Sequence, residues 1–165
     1  MLRMLLLALC AVWPLAVAAE PYEIESLEEA LEKLTPKAPP GALSWDDLGK
    51  ADIVYNEKTG QLSATFPEHI RKLDGQTIKV AGFLFPVDVS QEPGESTIRY
   101  LLTALPPSCP FCLPAGPNYM MDMNIKGKVD FTYDPVLASG RLELREQSGD
   151  FFYILHEAQI GPMPK

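Results

Sequence analysis

Apolar residues recur every third or fourth position over residues 21–34, where PYEIESLEEALEKL sets Ile24, Leu27, Leu31 and Leu34 on one stripe and acidic or basic residues elsewhere. That period predicts a short amphipathic helix. Pro36, Pro39 and Pro40 then remove backbone donors and fix φ, so TPKAPPG over 35–41 reads as a linker. SWDD at 44–47 offers an N-cap serine and an acidic first turn to a second brief helix, anchored by Trp45. IVYNEKTGQLSATF (53–66) holds two runs of β-formers around residues 56–60 and predicts a hairpin. Pro67 opens a short helix, PEHIRKL, which stops at Asp74 and Gly75.

From residue 77 the period falls to two. TIKVAGFLF alternates Ile78, Val80 and Leu84 with Thr77, Lys79 and Ala81, a strand bent at Gly82. STIRYLLTA sets Ile98, Tyr100 and Leu102 opposite Arg99, Leu101 and Thr103. NYMMDMNI sets Tyr119, Met121, Met123 and Ile125 opposite Met120, Asp122 and Asn124. Lys126-Gly127-Lys128 turns the chain into VDFTY (129–133), a further expected strand, and VLASGRLELRE and FFYILHEAQI close the pattern, separated by residues 147–150. Seven or eight short strands with two or three short helices predict a mainly β domain, an antiparallel barrel or sandwich.

The start of the chain has another character. MLRMLLLALCAVWPLAVAA joins a basic Arg3 to an apolar run and small residues at 16–19, the pattern of a secretory signal over residues 1–19. A membrane span fits less well, because the apolar run is short, contains Pro14 and lacks a basic stop. Cys10 would suggest a lipid anchor, but Leu9 stands where such signals use a small residue. Export to the periplasm is the expectation, with residues 20–42 as helix and linker and 43–165 as one β domain.

Charge narrows the partners. Without Arg3 the chain carries 13 basic against 22 acidic residues, a formal −9, which disfavours nucleic acid and anionic membrane surfaces. Loss of the signal also removes Cys10, leaving Cys109 and Cys112 as the only thiols.

LDGQTIKVAGFLFP (73–86), the earlier WDDL, the YLLT strand leading into Cys-Pro-Phe-Cys and a Pro-Asn pair, and the closing VLASGRLEL together resemble a bacterial exported domain family of unknown function. The resemblance runs from about Leu43 to Ile160. It implies a secreted protein or lipoprotein with an accessory role beside an ABC-type transport or metal-handling system. The strand-Gly-strand opening is also similar to the oligonucleotide-binding barrel, so the expected fold is a small OB-like barrel with one or two peripheral helices; that likeness does not bring nucleic-acid binding with it.

The chemistry-bearing stretch is PPSCPFCLPAGPN (106–118). Thioredoxin-type catalysis needs a helix starting at the first cysteine, and Pro114 and Pro117 oppose one. Two sulfurs at this spacing suit one corner of a metal site. His69 and His156 would complete a zinc set, and Met120 is a soft ligand for copper(I). Each has a commoner explanation: a surface or capping histidine at 69, a hydrogen-bonded strand position at 156, and packing for methionines. The remaining reading is a Cys109–Cys112 disulfide on a stiff loop whose Pro110, Phe111 and Leu113 dock a protein partner. No serine–histidine–aspartate set or phosphate loop is evident, so the expectation is a non-enzymatic accessory or binding protein, with a thiol-dependent zinc, copper or redox protein as the alternative.

Overall fold

The structure, a computed structural model, describes residues 26–88, 98–107, 116–148 and 151–164. Helix α1 (Leu27–Leu34) begins at Ser26, whose hydroxyl accepts the Glu29 amide at 3.1 Å, as a serine N-cap should. It rests on the domain through buried Ala30 and half-buried Leu31, while Leu27 is 48% exposed. The packed face thus keeps Leu31 of the expected leucine stripe but leaves Leu27 outside it, and Ile24 lies outside the described residues. Beyond the linker, the Leu43 amide donates to the Lys79 carbonyl at 2.7 Å.

Helix α2 (Trp45–Leu48) is capped by Ser44, and the buried Trp45 indole donates to the Ala81 carbonyl at 2.6 Å. The expected hairpin forms as β1 (Asp52–Asn56) and β2 (Gln61–Thr65), with Gly60 at φ +69 in the turn. Its third partner is β7 (Gln147–Ser148), from the segment expected only to separate two strands. Helix α3 (Glu68–Arg71) is a single turn that buries Ile70.

Five strands close a barrel in the order β3 (Thr77–Asp88), β4 (Ile98–Thr103), β5 (Met120–Ile125), β8 (Tyr153–Pro162) and β6 (Val136–Leu144), which returns to β3. The mainly β barrel expected from the alternation is thus present. β3 serves two neighbours, pairing with β6 up to Gly82 and with β4 from Phe83. A Cβ at Gly82 would lie 2.8 Å from both the Thr103 carbonyl oxygen and Leu102 Cγ, so the changeover requires glycine. One seam departs from the antiparallel expectation: β5 and β8 run parallel, with Asp122 opposite Ile154.

Two local expectations fail. VDFTY forms no strand, because the barrel closes through β8 and β6 and offers it no ladder; Phe131 stacks on Tyr100 and meets Tyr133 edge-on instead. Tyr119 belongs to a 3-10 turn (Pro117–Tyr119), and β5 starts one residue later.

The core contains Val80, Leu84, Leu102, Met121 and Met123 from the faces read in the alternation, together with Leu142, Leu155, Phe152, Tyr153 and Ile70. The opposite face of β3, β4, β5 and β8 is also buried, through Phe83, Phe85, Leu101, Thr103, Met120 and Ile154.

Candidate functional site

Cys109, Cys112, Pro110, Phe111 and Leu113 lie outside the described residues; the two ends of their loop do not. Before the loop, Thr103 is buried and its hydroxyl donates to the Leu105 carbonyl at 2.8 Å. After it, the Tyr119 amide donates to the Gly116 carbonyl at 2.9 Å, and the Ala104 amide donates to the Tyr119 carbonyl at 3.0 Å, tying the two sides together. Asn118 then fixes this neck to α2, its side-chain amide donating to the Gly49 carbonyl at 2.9 Å. Gly49 sits so close to the Tyr119 ring that a Cβ there would lie 2.6 Å from it. The loop therefore springs from a rigid base.

The three candidate extra ligands are distributed unevenly. Met120 directly follows the neck, opposite Thr103, and is 4% exposed on the face away from the core. His69 projects from α3, 51% exposed, with Nε2 at 3.7 Å from Asp47 Oδ1. Asp47 is held below the ordinary carboxylate value by hydrogen bonds from Lys50 and Ser44, with Lys50 the larger influence. His156, on β8, pairs with Glu143 and Asn124, so the two histidines have separate partners. Among the described residues no three His, Cys, Asp or Glu side chains converge as a metal site.

Around His156 the barrel opens into a groove of about 1220 Å³. A bulge in β8 shapes it. Arg141 pairs with His156 and Ser139 with Gln159, leaving Gly140 against both Glu157 and Ala158; on the other side Met123 pairs with Leu155 but Ile125 with Ala158. Glu157 takes φ +51, a conformation usually left to glycine. Gly140 accommodates the kink, since a Cβ there would lie 2.6 Å from the His156 carbonyl oxygen.

The bulge turns His156 into a hydrogen-bonded row. Asn124 Nδ2 donates to His156 Nδ1 at 3.1 Å, which leaves the proton on Nε2 to be donated to the Glu143 carboxylate. Arg145 Nε donates to the other Glu143 oxygen at 2.7 Å. Arg145 first, then His156, holds Glu143 below its ordinary value.

A family model described as "Protein of unknown function (DUF3299)" matches residues 32–161. The chain belongs to the DUF3299 family. None of the curated proteins compared matches it. A crystal structure of a DUF3299 family protein from Pseudomonas aeruginosa PAO1 is similar in fold, with TM-score 0.51 and 18% identity over 78% of this chain and 99% of that one.

The matched DUF3299 region takes in both the neck of the cysteine loop and the His156 groove. The sequence draws attention to the loop through its sulfurs and to His156 as a candidate ligand, but not to the groove around His156. Arg99 and Arg141 come from segments far from the Lys126-Gly127-Lys128 turn, so no local motif joins the four cations; the available hint was Gly140 inside an otherwise strand-like run.

Proposed function

We propose that this DUF3299 domain is an exported, non-enzymatic accessory protein that presents the Cys109/Cys112 loop to a protein partner from a rigid barrel. The observation that supports this reading is the clamped neck, where Ala104, Gly116, Asn118 and Tyr119 are hydrogen-bonded to one another or to α2. A loop fixed at its base loses less freedom on docking, and so binds more tightly for the same contacts. Phe111 and Leu113 supply the apolar contacts, and a Cys109–Cys112 disulfide fixes the loop's local shape. A component of an envelope transport or metal-handling system is the partner the family resemblance implies.

The test has two parts. A free-thiol count and metal analysis on protein recovered from the periplasm should give no free thiol and no bound metal. Two free thiols with one equivalent of zinc or copper would replace this reading with the metal-binding alternative, and loss of the metal in Met120→Ala would point to copper(I), since Met120 adjoins the neck. A photo-crosslinker at position 111 should yield one defined adduct in cells, absent when residues 108–115 are exchanged for a Gly-Ser segment of equal length. Adducts unchanged by that exchange would sink the proposal.

A further inference from the structure

The His156 groove lies at the ends of β4 and β5 away from the neck formed by Ala104 and Tyr119, and has a ligand chemistry of its own. Although the chain carries a formal −8, the groove lining gathers Arg99, Lys126, Lys128 and Arg141 against two acids, Asp130 and Glu157. Lys126 is occupied, at 3.4 Å from Glu157. Lys128 and Arg141 have no partner among the described residues. Arg99 is oriented rather than free: Asp122, almost wholly buried, approaches its Nε at 3.0 Å but is misaligned for a hydrogen bond, and the guanidinium lies 5.6 Å from the centre of the Phe151 ring. With Asp122 at the Nε edge, the terminal nitrogens retain the planar fork that receives a carboxylate.

An aromatic cluster extends outward from the groove's rim. Tyr100 lines it, Phe131 stacks on Tyr100 with centroids 6.4 Å apart and planes 10° from parallel, and Tyr133 meets Phe131 edge-on at 4.8 Å. Phe131 is 38% and Tyr133 73% exposed, an arrangement that leaves flat apolar faces in water beside cations. The stacking covers only part of each ring. The rings suit a ligand that has a flat face of its own.

We propose that this groove binds a carboxylate carried on a ring, with the carboxylate taken by Arg99, Lys128 and Arg141 and the ring laid on the Tyr100–Phe131–Tyr133 wall. The small cationic surplus fits a singly charged group better than a doubly charged phosphate, which Asp130 and Glu157 would repel. Two sources carry this chemistry: an acidic sugar chain, whose C–H faces pack on aromatic rings, and an aromatic acid.

Calorimetric titration of the full chain with a short oligogalacturonate, the corresponding neutral glucan, naphthoate and inorganic phosphate tests it. Binding of oligogalacturonate alone identifies the sugar source, and binding of naphthoate alone the aromatic one; either outcome supports the site. The bound acid should be weakened about tenfold or more by Lys128→Glu with Arg141→Glu, and also by Tyr133→Ala, with the melting temperature unchanged in each variant. Affinity should fall as salt rises. Equal affinity for the neutral glucan, tighter binding of phosphate than of either acid, no binding of either acid, or indifference to the charge reversal would each overturn it.

Discussion

The Tyr153 hydroxyl donates a 2.7 Å hydrogen bond to the Leu48 carbonyl across 105 positions of sequence, fastening the last turn of α2 to the closing strand of the barrel. Burial raises the Tyr153 ionisation well above its ordinary value of 10.0, so the hydroxyl stays protonated and able to donate. Tyr153→Phe keeps the ring and leaves the carbonyl unpaired. It should cost about 1–3 kcal/mol, read as a lower midpoint in denaturant with an unchanged slope. A wild-type midpoint would mean that the bond holds nothing.

Gly140 sets a second expectation. In Gly140→Ala the new methyl would meet the His156 carbonyl at 2.6 Å and Leu155 Cγ at 2.8 Å, and the backbone contact cannot rotate away. Overpacking of this kind costs about 1–3 kcal/mol. Thermal unfolding should show the loss, and the chemical shifts of the His156 ring should move with it.

Glu157 allows the backbone to be tested apart from the side chain. At φ +51 a β-branched residue is strained and glycine is not. Glu157→Gly should therefore remain within about 1 kcal/mol of the parent, whereas Glu157→Val should fall below it by more. Equal losses in the two variants would mean that the Lys126 pairing, not the conformation, matters at this position.

Acid sensitivity follows from Glu143. Its folded-state ionisation is depressed below the ordinary 4.5 by Arg145 and then His156, so the unfolded chain binds the proton more readily. The stabilisation is fully present above pH 4.5 and is lost as pH falls through the lower folded value. With the carboxylate about a third exposed, the effect is at most about 1 kcal/mol. Glu143→Gln should flatten the acid limb of a stability profile, and a profile as steep as the parent's would refute the assignment.

The barrel was legible where a side chain's burial follows from its own strand. Ile78, Val80, Leu84, Leu102, Met121 and Met123 all lie inward as the alternation requires. Ser44 and Trp45 were legible for a local reason, the cap. What alternation cannot carry is which edge a strand will meet: VDFTY has strand chemistry and no partner, and Gln147 and Ser148 have little strand chemistry and do have one. The alternation gave these strands one inward face and did not foresee that Phe83, Phe85 and Leu101 on the other face are buried too. The cationic groove was invisible because Arg99 and Arg141 meet only through the barrel's closure.

The parallel seam between β5 and β8 governs the order in which this molecule can be assembled. β8 fills the gap between β5 and β6, so until Tyr153–Pro162 is available both of those strands present bare amides and carbonyls. A chain emerging from its N-terminus can pair β3 with β4 and β6, yet the cylinder stays unlatched until β8 arrives. A chain stopped before Tyr153 would leave those two strand edges bare and be an aggregation hazard, not a smaller barrel.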